Sequence, residues 1–229
     1  MYKLIQMALA PIIIIIFYIY IRDKYEKEPI RLLILGLLFG SFITIPILGV
    51  ETILGFLAPS ENTLLESFYI AFIVAAFTEE CFKYIILYFL IWRNHNFNEK
   101  FDGIVYAVFI SLGFASVENI IYVLNPQWGG VNTAAARAIL SVPGHALFGV
   151  AMGYYFSMAR FEREQKDKWI AKAFYIPILL HGIYDFILMA NKPFLMIFFI
   201  PFVLYLWVSG FRKMKKHLQD SPFRPRIEE

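Results

Sequence analysis

The chain has 229 residues, of which 59% are hydrophobic, 18% aromatic and 17% charged, with a mean hydropathy of +0.61 and a formal net charge of +3. So apolar a composition excludes an ordinary soluble domain, a disordered chain and a collagen-like chain, and it makes the bilayer the relevant solvent. The single cysteine, Cys81, excludes an internal disulfide and any cysteine-held metal or iron–sulfur centre.

Apolar spans at residues 2–21, 32–57, 68–92, 103–124, 134–159, 169–190 and 194–211 predict seven helices in chain order. A hydrocarbon core of about 30 Å needs about 20 helical residues, so most of these spans suit one tilted crossing, and the last, at 194–211, is the shortest and fits least well. Period-two alternation is missing, which sets a barrel aside. The first span has no small-residue cleavage site and is kept as a permanent helix. The second is long enough to bend near Pro46. The expected fold class is an all-α polytopic membrane protein, with residues 1–211 as one integral-membrane domain and 212–229 as a basic tail.

Charge orients these spans. Seventeen of the 21 Lys and Arg fall within 22–31, 93–100, 160–172 and the stretch after 211, on alternate sides of successive spans. The opposite side carries only Lys3, Arg137 and Lys192, and Lys83 lies inside a span. Positive charge marks the cytoplasmic face, so the N-terminus is expected outside and the C-terminus inside a cell membrane. The basic tail should also touch anionic lipid, and no nucleic-acid partner is expected.

Ionisable residues deep in the spans are few: Glu79, Glu80 and Lys83 in the third, Glu118 followed by Asn119 in the fourth, His145 in the fifth, His181 and Asp185 in the sixth. Each costs roughly 2.5 kcal/mol or more at the bilayer centre, so each must face the protein interior or a wet cavity and is a functional candidate. Glu51 is read as structural near the outer interface, and Cys81 as a buried inert thiol. Glu79 and Lys83, four residues apart, share a helix face, so Lys83 should neutralise one carboxylate and leave the other free. The same spacing lets Asp185 orient His181. At about 1.5 Å per residue, Glu79, Glu80, His145 and His181 lie about 14–17 Å from the outer helix ends, and Glu118 and Asp185 about 8–9 Å. That slab suits a cavity open to the outside. Pro143-Gly144 is expected to break the fifth helix just before His145; such a break could release backbone donors for an oxyanion, although the pair taken alone reads first as a packing kink.

Several chemistries are missing. There is no His-Glu-x-x-His, no Gly-x-Ser-x-Gly and no intramembrane Ser with a Lys or His partner. Asp185 is the only deep Asp, because Asp102 sits at a cytoplasmic edge, so an aspartyl dyad is excluded. Glutamate, histidine and water remain, which suits hydrolysis by a carboxylate base, or by a metal held by imidazole and carboxylate. Glu79, Glu118, His145 and His181 form the candidate zinc set. No two of these share a helix at the usual ligand spacing and Lys83 adds positive charge, so a metal-free mechanism with no cofactor is expected. An ion-coupled transporter would show inverted repeats, which are not seen. A non-catalytic scaffold would use Gly36-x-x-x-Gly40 and Gly149-x-x-x-Gly153 to pack partner helices, although such pairs also pack ordinary bundles.

Four motifs in order, Glu79-Glu80-Cys-Phe-Lys83, Phe114-Ala-Ser-Val-Glu118-Asn119, His145-Ala-Leu-Phe-Gly149 and His181-Gly-Ile-Tyr-Asp185, resemble those of the PrsW intramembrane proteases. These proteases are similar to the broader CAAX-protease and bacteriocin-processing superfamily. The resemblance covers the third to sixth helices. It implies a bacterial site-1 protease that cuts a single-pass, membrane-anchored anti-sigma factor on its extracytoplasmic side and so releases a sigma factor in envelope stress. It also implies that Glu79 activates water while His181 with Asp185 supports the oxyanion. The CAAX enzymes show Phe-x-x-x-His where this chain has Phe114-x-x-x-Glu118, and His145 on the next helix is the candidate for the missing imidazole.

Overall fold

Helices account for all the regular structure among the described residues, 1–59 and 63–225, of the computed structural model. Six are long and apolar enough to cross a membrane: Tyr2–Arg22, Ile30–Gly55, Lys100–Leu124, Val131–Phe161, Arg163–Met189 and Pro193–Gln219. Within them lie α1 (Tyr2–Arg22), α2 (Ile30–Phe42), α3 (Thr44–Gly55), α6 (Lys100–Leu124), α7 (Val131–Ile139), α8 (Ser141–Phe161), α9 (Lys166–Met189) and α10 (Pro193–Gln219). The span expected at 68–92 is also helical but not uniformly α. It starts as α4 (Leu64–Tyr69), winds as a π-helix over Ile70–Phe77 and ends as α5 (Thr78–Ile91). The wider π turn delays the rotation of everything after it, and the Thr78 hydroxyl donates five residues back to the Ile73 carbonyl at 3.4 Å. This stretch leads directly into Glu79 and Glu80.

Two prolines set two helix breaks. A proline ring clashes with the carbonyl four residues before it. For Pro46 that residue is Phe42, where α2 ends; for Pro143 it is Ile139, where α7 ends. The second break therefore falls at Leu140, not at Pro143-Gly144 as expected from sequence. Pro143 lies in the first turn of α8, where its missing N–H is no loss, and the Gly144 amide donates to Leu140 O at 2.9 Å. Gly144 is thus not a free oxyanion donor. Pro11, Pro177 and Pro201 remain inside unbroken helices.

The centre of the bundle is α6, buried from Phe101 through Ala115, against which α8 is buried from Val142 through Tyr154. Buried on all sides, α6 packs against α1, α2, α5 and α8. Glycines permit the closest approaches. A Cβ on Gly40 would overlap the Ile110 carbonyl, one on Gly113 the Leu37 carbonyl, and one on Gly153 the backbone of Gly103. The pairs Gly36/Gly40 and Gly149/Gly153 both face α6, so they pack this bundle internally.

At one end of the bundle the segments rich in Lys and Arg come together. Lys100 Nζ lies 3.1 Å from Glu162 and 3.5 Å from Asp220, and the His217 ring Nδ1–H donates to the Lys100 carbonyl at 2.9 Å. The Tyr106 hydroxyl donates to Glu28, and Asp102 Oδ2 accepts the Asn98 and Glu99 amides at 2.9 and 2.8 Å. Burial pushes the carboxyls of Asp23 and Glu28, in the loop after α1, up to about 7. The last helix runs on to Gln219, past the expected boundary at 211, because Met214, His217 and Leu218 form a buried stripe at helical spacing. Of the basic stretch, 226–229 lie outside the described residues. The opposite end holds Met1, the 125–130 turn and the 190–192 turn.

Because these contacts are backbone to backbone, Gly40→Ala and Gly153→Ala should each destabilise the protein by about 1–3 kcal/mol. Gly49→Ala and Gly55→Ala, with nothing within 4 Å of the added carbon, should leave stability level or slightly raised. Unfolding in mixed micelles checks this; equal behaviour of the two pairs would contradict the packing described.

Candidate active site

All the deep ionisable residues singled out from sequence meet in one hydrogen-bonded chain. Its hub is Lys83 on α5, fully buried, whose ammonium has three donors and three partners: Glu79 Oε2 at 2.9 Å, Glu80 Oε1 at 2.8 Å and His145 Nδ1 at 3.4 Å. Phe114 of α6 presents its ring 4.3 Å from the same ammonium. Lys83 therefore neutralises both glutamates, not one with the other left free. From Glu80 the chain continues to His181 Nδ1 at 3.1 Å, and from His181 Nε2 to Asp185 Oδ2 at 3.2 Å. On the other side His145 Nε2 lies 2.9 Å from Glu118 Oε2.

Glu118 has a partner that sequence reading missed. Arg137 of α7 donates from Nη2 to Glu118 Oε2 and from Nε to Asn119 Oδ1, both at 2.7 Å, with its guanidinium 4.0 Å from the Tyr122 ring. Asn119 in turn donates to the Ala8 carbonyl of α1 at 2.7 Å. Arg137 was read as one of three topogenic charges on the outer side. Its isolation on a side nearly empty of Lys and Arg was the available signal.

A cavity of about 350 Å³ opens beside this chain. Glu79, Glu118, His145, His181, Asp185 and Arg137 line it; Glu80, Lys83 and Asn119 do not. The paired glutamates thus separate: Glu79 faces the cavity while Glu80 stands behind it, fully buried. Further lining comes from Leu48 and Glu51 of α3, Ile121 and Tyr122 of α6, and Leu188 and Met189 of α9. These lie toward the end of the bundle opposite the Lys- and Arg-rich loops. Glu51, read as structural, belongs to the cavity wall. Cys81 is half-buried and lies outside the cavity lining.

The residues present fit a divalent metal. One ligand atom each from Glu79, His145 and His181 lies within 4.8 Å of the others, two imidazoles and a carboxylate as in catalytic zinc sites. Charge points the same way, because among the described residues the carboxylates Glu79, Glu80, Glu118 and Asp185 pair with two fixed cations, Lys83 and Arg137. The expectation of no cofactor rested on ligands lying on separate helices and on the positive charge of Lys83. Here α5, α8 and α9 deliver one ligand each, which removes the first ground, while Lys83 Nζ does stand 2.9 Å from Glu79 Oε2 and 3.4 Å from His145 Nδ1. Glu118, also in the candidate set, is instead held by Arg137 and His145.

Comparison with known proteins agrees with the site. The profile of a family described as PrsW family intramembrane metalloprotease matches residues 28–208. Protease PrsW of Bacillus subtilis is 38% identical over 217 residues, 94% of this chain and 96% of that protein. Protease PrsW of Geobacillus kaustophilus is 38% identical over 216 residues, covering 94% and 92%, and that of Clostridioides difficile 36% over 221 residues, covering 95% and 92%. No solved structure matches the chain. With a buried glutamate–histidine site inside a bundle of membrane-spanning helices, and similarity running along nearly its whole length, the chain belongs to the PrsW family of intramembrane proteases, peptide hydrolases of the bacterial cell membrane.

Proposed function

We propose that this chain is a site-1 protease whose client is a single-pass, membrane-anchored anti-sigma factor, cut on its extracytoplasmic side to begin release of a sigma factor under envelope stress. The protease domain has its catalytic helices in 68–190, and the basic run from 212, whose first part continues the last helix to Gln219 and packs on the bundle, lies on the cytoplasmic side where it touches anionic lipid. The N-terminus is outside. The observation that carries this reading is the position of the cavity, lined by Glu79 and both histidines at the end of the bundle away from the Lys- and Arg-rich loops.

In this reading Glu79, the member of the pair that faces the cavity, accepts the proton of the attacking water. Lys83 holds that carboxylate in place and balances its charge in a medium where water cannot. Glu80 orients His181, which with Asp185 offers positive charge to the oxyanion that develops on the scissile carbonyl. Glu118 orients His145, and Arg137 orients Glu118. A metal held by Glu79, His145 and His181 would supply Lewis-acid polarisation and acidify a bound water, with both imidazoles neutral and Glu79 a ligand, so the roles just given are those of the site without a metal. Peptide carbonyls within a helix are hydrogen-bonded and shielded, so the client must enter as a locally extended stub. A large folded external domain would be held off, whereas a short or trimmed one would not.

Purified protein in liposomes, given a single-pass client, should lose activity by about 10²-fold or more in Glu79→Gln, with large losses in Glu80→Gln and His181→Ala. Arg137→Met, acting through Glu118, should cost less. Full activity of Glu79→Gln would move the base to another carboxylate. Activity lost to chelation and restored by zinc would make Glu79, His145 and His181 ligands, and indifference to chelator would keep Glu79 as the base of a metal-free mechanism. A reporter after Glu229 should be cytoplasmic and a tag before Met1 accessible from outside. Mass mapping should place the cut outside or in the outer half of the client helix, and a cut in its cytoplasmic half would overturn the orientation.

A further inference from the structure

A second cluster of carboxylates lies at the far end of α6 from Glu118, where the protease site has no part. Asp23, Glu26 and Glu28 of the loop after α1 meet Glu99 and Asp102 at the start of α6; of these, Asp23, Glu28, Glu99 and Asp102 are almost completely buried. Glu28 and Asp102 each commit one oxygen to the protein, to the Tyr106 hydroxyl and to the two amides at 98 and 99. Those contacts hold the side chains in place. The second oxygen of each, Glu28 Oε1 and Asp102 Oδ1, is buried and receives no donor from the protein, the two carboxyls standing within hydrogen-bonding reach of each other, and Glu26 Oε2 is likewise buried without a donor. One ligand oxygen from each of these three residues lies within 4.8 Å of the others.

Carboxylate oxygens buried against one another without a protein donor are costly unless a proton or a cation meets them. Among the described residues no Lys or Arg forms an ion pair with Glu26, Glu28 or Asp102, and the Arg22 guanidinium lies 5.9 Å from the Tyr18 ring. Lys27 donates to the Tyr20 carbonyl, and Lys100 pairs with Glu162 and Asp220. We infer that Glu26, Glu28 and Asp102 form a binding site for a hard divalent cation, Mg²⁺ or Ca²⁺, which ties the loop after α1 to the first turn of α6. An all-oxygen, all-carboxylate set is the chemistry of these ions and not of zinc. Glu26 is only half-buried, leaving a side for the waters such ions keep. Oxygens on opposite sides of a Ca²⁺ ion stand about 4.6–5.2 Å apart and around Mg²⁺ about 4.0–4.2 Å, so the observed convergence accommodates either. Because α6 carries Glu118 and Asn119 at its other end, the cation would brace the helix on which the protease site is assembled.

The test uses full-length protein in detergent, stripped with chelator and titrated with Tb³⁺ under tyrosine excitation, then competed with Ca²⁺ or Mg²⁺. Tyr106, hydrogen-bonded to Glu28, is the expected sensitiser. Saturation at about one ion per chain is expected, with the better competitor naming the cation. Either ion should raise the melting temperature of the stripped wild type. Glu28→Gln and Asp102→Asn should weaken binding at least about tenfold while Glu79→Gln leaves it unchanged. Should the buried variants misfold, Glu26→Gln, at a half-buried position, must still weaken it. Absence of binding and of any melting shift up to about 10 mM of either ion would overturn the proposal, leaving protons as the neutralising species. So would binding that survives the substitutions in folded protein.

Discussion

One ammonium group, in a part of the molecule that water cannot reach, holds the site together. Lys83 has all three of its donors engaged, two by glutamates of its own helix and one by His145 of α8, and the Phe114 ring of α6 closes on it from another side. Three helices are therefore registered against a single charge. Glu79 and Glu80 are adjacent carboxylates at low exposure, an arrangement that only a cation between them makes tolerable. Breaking a buried pair of this kind typically costs about 3–5 kcal/mol, because the partner left behind stays charged and dry. Lys83 is thus at once part of the fold and part of the chemistry.

Such registration demands that helix backbones sit close and at set angles. Glycines at the α2–α6 and α6–α8 contacts remove the side chains that would hold the backbones apart. Side chains that reach across the site, such as Arg137 to Glu118, then need no large displacement. The breaks after Phe42 and Ile139 have a related effect. By ending α7 early, Pro143 frees it to carry Arg137 inward over Tyr122, while α8 starts afresh with His145 in its second turn. The π-helical stretch before Thr78 works by rotation, turning Glu79 to the cavity and Glu80 to the interior.

Much of this was legible in the residues. The membrane spans emerge from apolar length alone, and the site residues emerge because ionisable groups are so rare in those spans that each one stands out. Every such residue named from sequence, from Glu79 to Asp185, joins the same hydrogen-bonded chain. Arg137 and Glu51 escaped because they sit near span ends, where a charge is unremarkable, and nothing in a linear reading says which way an interfacial side chain turns. The single role given to Lys83 came from helix geometry at i and i+4, which ignores that i+3 lies equally within reach of a long side chain.

What the sequence by itself determined is the class of solvent, the order of the apolar helical runs, and the inventory of chemistry they carry. These are properties of composition and local spacing, set residue by residue through transfer energies and the rise of a helix. Only the tertiary structure decided which glutamate faces the cavity, that the two histidines and Glu79 converge on one point, that Arg137 holds Glu118, and that carboxylates from two distant segments meet in a largely buried cluster at the opposite end of α6. Each depends on the relative rotation and separation of helices far apart in the chain. Those are fixed by backbone contacts at glycine, by breaks at proline and by buried charges seeking partners, none of which acts between neighbours in sequence alone.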